Sequence, residues 1–139
     1  MRKIIITIAL LFPFVTHALS IGVISDIHAG KQKTRKSGSS IVYPSKAVSY
    51  FDKALAQMNG KVDFVVCLGD NAQSGEKKYY KRLKTIELKR KIKILWVKGN
   101  HDSKYFSILG PSTFTYSVGS LKFSVIDTTY FFLYKKLRR

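Results

Sequence analysis

Apolar positions fall along this chain in two rhythms, one nearly continuous and one helical. Three short runs are almost unbroken: Ile21-Gly22-Val23-Ile24-Ser25, Phe64-Val65-Val66-Cys67-Leu68 and Ile92-Lys93-Ile94-Leu95-Trp96-Val97-Lys98. They are short and rich in β-branched residues, which predicts buried strands. Between the first two runs, Ala47, Val48, Phe51, Ala54, Leu55 and Met58 recur at helical spacing. That predicts a helix over residues 45–59, with Ser45 as its cap and Gly60 as its stop. A second helix is expected from residue 75 to about residue 89, turning Tyr79, Tyr80, Leu83 and Ile86 toward the sheet and its lysines and Arg82 toward water. Two further strand-like runs, Phe114–Val118 and residues 121–127, flank Gly119-Ser120, a pair that predicts a tight hairpin. Residues 31–40 are basic and Ser/Gly-rich and read as a flexible loop, as do residues 103–112 with their Gly110-Pro111. The predicted order is β-α-β-α-β followed by a β-hairpin, an α/β chain.

Each of the three apolar runs ends in polar chemistry. Asp26-Ile27-His28 follows the first, Gly69-Asp70-Asn71 the second and Gly99-Asn100-His101-Asp102 the third. In an open α/β sheet, ligands bind in the crevice beyond the carboxyl ends of the strands. Carboxylate, imidazole and carboxamide groups converging there form a donor set suited to a divalent metal. The 44 residues from Asp26 to Asp70 and the 30 from Asp70 to Asn100 each leave room for one crossover helix. Gly69 and Gly99 allow a tight turn at a strand end without a Cβ clash.

Asp-x-His, Gly-Asp and Gly-Asn-His-Asp, in this order and each after a strand, resemble the first half of the calcineurin-like metallophosphoesterase family. The resemblance covers roughly residues 20 to 128. It implies the N-terminal half of a metallophosphoesterase-type β-sandwich flanked by helices. It also implies that Asp26 and His28 ligate a first metal, that Asp70 bridges two metals, and that Asn100 binds the second through its amide oxygen. By the same likeness, His101 meets the phosphate and assists the leaving group, and Asp102 supports that histidine. The implied cofactors are divalent ions, Mn, Fe or Zn, two in a complete member. The implied reaction is hydrolysis of a phosphomonoester or phosphodiester by a metal-activated water.

The family completes its site with histidines from its second half, including a Gly-His-x-His motif. The histidines here are His17, His28 and His101. The first metal keeps Asp26, His28 and Asp70, while the second keeps Asp70 and Asn100. The expectation is at most one firmly held ion and crippled hydrolysis, unless a separate C-terminal half supplies the rest. The alternative is an inactive fragment or a half-domain that binds an anion or a partner.

The first residues change the picture of where the chain works. Arg2 and Lys3 precede an apolar core twelve residues long, 4–15, interrupted by Pro13. Thr16-His17-Ala18 then places small residues at positions −3 and −1, as a signal peptide with cleavage after Ala18 requires; cleavage after Ser20 is the other candidate. The run falls short of the ~20 apolar residues needed to span a bilayer. A signal over 1–18 is expected in preference to an N-terminal strand or an uncleaved anchor, because the first strand begins at Ile21. A secreted or periplasmic location follows.

Cys67 is the single cysteine, which excludes an internal disulfide, and its place in an apolar run makes it a core residue rather than a nucleophile. The formal net charge is +17. Without a nucleic-acid motif, that charge predicts weak, non-specific polyanion binding and steering of anionic phosphoesters, not specific nucleic-acid recognition. Residues 129–139 break the pattern: Tyr130-Phe131-Phe132-Leu133-Tyr134 precedes Lys135-Lys136-Leu137-Arg138-Arg139. This basic aromatic tail could serve a membrane surface. A truncated or frame-shifted end is the preferred expectation, since the family's second sheet would begin here.

Overall fold

The structure, a computed structural model, describes residues 18–127. The signal-peptide reading, His17 and the basic aromatic tail lie outside the described residues, apart from Ala18. In chain order the elements are β1 (Ile21–Ile24), β2 (Arg35–Ser37), β3 (Ser40–Val42), α1 (Pro44–Met58), β4 (Phe64–Cys67), α2 (Lys77–Arg90), β5 (Ile94–Trp96), a short 3₁₀ turn (Lys104–Ile108), β6 (Phe114–Val118) and β7 (Leu121–Val125).

The β1, β4 and β5 strands form a parallel sheet in the order β1-β4-β5, so β4 is central. Ile21 pairs with Phe64 and Ile24 with Cys67; Val65 pairs with Ile94 and Cys67 with Trp96. Side chains alternate across the sheet. Val65, Cys67, Ile94 and Trp96 face the helices and join Ala47, Phe51, Leu55, Tyr80, Leu83 and Ile86 in one core cluster. Phe51 and Trp96 meet ring to ring at 5.6 Å. The buried Trp96 N–H donates to Glu87 at 2.9 Å, and the Lys84 ammonium donates to the same carboxylate oxygen at 2.8 Å. Arg90 donates to Asp52 at 2.7 Å, tying α2 to α1, and this bond holds the Asp52 carboxyl below its ordinary range.

The opposite face carries the β6–β7 hairpin, which turns at Gly119-Ser120. Tyr116 and Phe123 clasp Phe64 edge-on at 5.3 and 5.2 Å. This layer is partial, since Val23 and Leu68 stay more than half exposed.

Three expectations are corrected. The first apolar run is not a fully buried strand: β1 sits at the sheet edge, with Ile21 and Val23 exposed and Gly22 buried. Ser45 does not cap α1; Tyr43 precedes the helix and Pro44 opens it, where a missing N–H costs nothing. Part of residues 31–40 is not an irregular loop. Ser37 pairs with Ser40 across a turn at Gly38, whose φ of 57° makes β2 and β3 a small antiparallel hairpin. Its sequence lacks the apolar alternation that announces a strand.

The buried Cys67 thiol is pushed well up by loss of solvent, with Glu87 adding to the shift. It is expected to resist alkylation in the native protein and to react at once in denaturant, as mass spectrometry would show.

Candidate metal centre

The carboxyl ends of all three parallel strands open onto one site. Beyond β1 and β4 the two strand-end loops stay hydrogen-bonded to each other. The His28 N–H donates to the Asp70 carbonyl at 2.8 Å, Ala29 N–H to Asn71 at 3.1 Å, and Gln73 N–H to Ala29 at 3.0 Å. His28 and Asp70 are therefore brought together by backbone before any ligand arrives.

Their backbones are unusual. Asp26, His28 and Asp70 have φ of 54°, 47° and 49°, in the left-handed region. For a residue with a Cβ this region costs roughly 1–2 kcal/mol. Asp and His are among the types that tolerate it best. Such strain persists where surrounding structure enforces it and is concentrated at functional sites.

Asp26, His28 and Asp70 each present a ligand atom, and these atoms lie within 4.8 Å of one another. His28 Nε2 stands 3.6 Å from Asp26 Oδ1 and 3.8 Å from Asp70 Oδ2. The Asp26 side chain is open to solvent, with Ser25 donating to it, whereas those of His28 and Asp70 are mostly covered. Two carboxylates and an imidazole aimed at a common point suit a transition metal, and a cation there would relieve the repulsion between Asp26 and Asp70. The donor set fits.

The third strand end packs on the second. A Cβ built on Gly69 would come within 3.0 Å of Gly99 Cα, and one built on Gly99 would collide with the Asp70 backbone. These glycines let the two loops touch. The His101 N–H donates to Asp70 Oδ1 at 3.0 Å, leaving the other oxygen facing His28. The His101 ring stands edge-on to His28 with centroids 5.0 Å apart. Its Nδ1 lies 3.3 Å from the Gln73 carbonyl. A carbonyl only accepts, so in this contact Nδ1 carries the hydrogen, and the neutral ring keeps its lone pair on Nε2. Asn100 precedes His101 in the same turn and is exposed.

Asp102 stands behind this group, as a scaffold rather than against the His101 ring. Its Oδ1 accepts from Asn71 N–H and Ala72 N–H, each at 3.1 Å, and from the Tyr80 hydroxyl at 3.0 Å. Its Oδ2 accepts from the Asn71 amide at 2.8 Å and Gly99 N–H at 2.9 Å. One carboxylate thus ties the loop after β4, the loop after β5 and α2 together. The Asn71 amide also donates to Val97 at 2.9 Å. Asp127, at the end of β7, is paired with Lys98 at 3.0 Å and lies apart from the metal cluster.

Asn71, Gln73 and Tyr80 also belong to the site, although the sequence motifs assign them no role. Asn71 followed directly on a strand-end Gly-Asp, which was the available signal. Tyr80 sat at a core-facing helical position, where a phenylalanine would satisfy the same pattern. Its hydroxyl also accepts from Ser103 N–H at 2.9 Å. Burial pushes the Tyr80 phenol up to about 12, and the adjacent Asp102 charge acts in the same direction, against the Ser103 N–H. Tyr80→Phe is expected to cost about 1.5–3 kcal/mol by denaturant unfolding, the range for hydrogen bonds to a charged partner. The native phenol holds its proton more tightly than the unfolded one. Its contribution is therefore complete below pH 10, the ordinary tyrosine value, and is lost as pH rises toward about 12. The variant should lack that part of the alkaline loss.

The sequence profile of the calcineurin-like phosphoesterase family matches residues 19–137. Comparison with curated protein sequences finds no match. Among solved structures, the chain is similar to a dimetal phosphatase from Danio rerio, with a TM-score of 0.53 and 18% identity. That similarity covers 60% of this chain and 29% of the zebrafish chain, so the chain spans under a third of that structure's length.

Proposed function

The chain belongs to the calcineurin-like phosphoesterase family, and on that premise we propose that its strand-end cluster binds a divalent cation for phosphoester hydrolysis. The observation that carries this reading is the convergence of Asp26, His28 and Asp70 at the ends of adjacent strands. Asp26 and Asp70 supply charge, and the His28 ring supplies Nε2. Mn, Fe or Zn suits this mixed oxygen and nitrogen set. Bound there, the cation would supply a nucleophilic water at neutral pH and neutralise phosphate oxygens.

The remaining steps fall to this chain's own groups. The Asp70 carboxylate is oriented by the His101 N–H, which keeps one oxygen directed at His28. The Gln73 carbonyl fixes the His101 ring. In its protonated form that ring carries a hydrogen on Nε2, which it can give to the departing oxygen as the ester bond breaks. Asn100 offers an amide oxygen, with Asp70, to a second cation. The +17 charge draws anionic esters toward the site and gives weak polyanion binding.

With three ligands for one cation and two for the other, this 139-residue chain should hold one ion firmly. Its turnover should be a few per cent or less of that of a complete relative, because losing one clamp on the phosphate removes transition-state stabilisation at ~1.4 kcal/mol per factor of ten. A C-terminal half carrying the later histidines should raise it. Elemental analysis after gel filtration and hydrolysis of an aryl phosphate test this. One equivalent of metal with weak, metal-dependent turnover is the expected result. Two firmly bound ions, or turnover that persists in a chelator, would contradict it.

A further inference from the structure

A cavity of about 350 Å³ opens directly beside the metal ligands, and Asp26 and His28 form part of its wall. The rest of the wall is almost entirely apolar. Phe51 and Ala54 line it from α1, Ile41 from β3 and Tyr43 from the segment that joins β3 to α1. Tyr50 on α1, like Ile41 and Tyr43, is exposed, so these rings and the isoleucine are accessible while Phe51 is buried. The sequence holds 25 Lys and Arg residues, yet none lines this cavity among the described residues. Lys46 approaches only as a cation over the Tyr43 ring, at 5.5 Å from its centroid.

We propose that this cavity receives an uncharged aromatic group of the phosphoester, held beside the phosphate that Asp26 and His28 attract through their cation. The inference rests on the phosphoesterase reading and adds the substrate class. Small-molecule sites have this form: a concave apolar wall of roughly 300–1,000 Å³ with a few polar groups fixing orientation. The polar groups here are gathered at one end, where the phosphate belongs. Size narrows the occupant further. A dry cavity of about 150 Å³ takes benzene, so this one has room for a bicyclic ring. Tyr43, Tyr50 and Phe51 offer ring faces and edges to such a group. The β2–β3 hairpin, which carries Ile41, is therefore a specificity element rather than a passive connection.

The test is calorimetric titration of the Mn²⁺-loaded chain with naphthylphosphonate and with methylphosphonate. Both present the same anionic head and neither can be hydrolysed. Burial of the ring should make the naphthyl compound bind about tenfold tighter or more. Ala54→Phe, which fills the cavity, and Tyr50→Ser, at its exposed mouth, should each bring the naphthyl affinity down toward that of methylphosphonate. Mn²⁺ affinity and methylphosphonate affinity should stay at their wild-type values, which also shows that the variants are folded. Equal affinity for the two phosphonates in the wild-type chain would overturn the proposal, whether water, a second copy or another part of this chain fills the cavity. That result would leave the metal centre standing. Failure to bind Mn²⁺ or methylphosphonate at all would overturn the phosphoesterase reading and this inference with it.

Discussion

Asp102→Ala is expected to destabilise the fold more than any other single change near the site, by about 4–5 kcal/mol. The substitution leaves the N–H groups of Asn71, Ala72 and Gly99 and the Tyr80 hydroxyl without the acceptor they now share. Each unsatisfied buried donor costs about 1–3 kcal/mol, and water entering the space left by the carboxylate recovers part of the total. Native stability is typically about 5–15 kcal/mol, so the variant should sit close to unfolding at ambient temperature. Asp102→Asn should cost less and still be damaging. Both carboxylate oxygens accept, Oδ1 from Asn71, Ala72 and Tyr80, and Oδ2 from Asn71 and Gly99. An amide supplies one acceptor and turns an NH₂ toward donors. Denaturant midpoints in the absence of metal measure this directly. A loss under ~1 kcal/mol for the alanine variant would mean the network contributes little.

Asp70→Asn is expected to act in the opposite way, sparing the fold and removing the metal. The amide oxygen can still accept from the His101 N–H, and the repulsion between residues 26 and 70 falls. The metal-free variant should be as stable as the wild type or more so. Its divalent-cation affinity should drop by at least about 100-fold, ~2.7 kcal/mol, because one of two anionic ligands is gone. The readout is the rise in melting temperature on adding Mn²⁺, which follows ligand concentration over dissociation constant. A wild-type rise that vanishes in Asp70→Asn is expected. An equal rise in both proteins would place the cation elsewhere.

These two aspartates show where sequence reading succeeds and where it stops. Asp70 could be placed at a strand end from the run before it, and Asp26 and His28 likewise, because short β-branched runs and crossover-length spacing constrain a parallel sheet strongly. Both helices, their buried faces and the β6–β7 hairpin were legible too, from apolar spacing and from the Gly119-Ser120 turn. Asp102 lies in an equally visible motif, but what its carboxylate touches depends on how two loops and a helix meet. Asn71, Tyr80 and Gly99 come from separate segments, and no local pattern records their convergence. The exposed face of β1 was illegible for a related reason: Val23 has the composition of a buried residue, and only the sheet order leaves it at an edge. The β2–β3 hairpin is not legible in the sequence because its backbone pairing is supported by a Gly38 turn and not by an apolar stripe.

The location of the bound cation tests the account most directly. Substoichiometric Mn²⁺ added to isotope-labelled protein broadens the signals of nuclei near the bound ion. The imidazole signals of His28 and His101 and the amide signals of residues 26–28, 70 and 101 should be lost first. The same titration of Asp70→Asn should leave them sharp. Broadening centred on Asp127, or spread evenly over the acidic residues, would contradict the assignment of the metal centre to Asp26, His28 and Asp70.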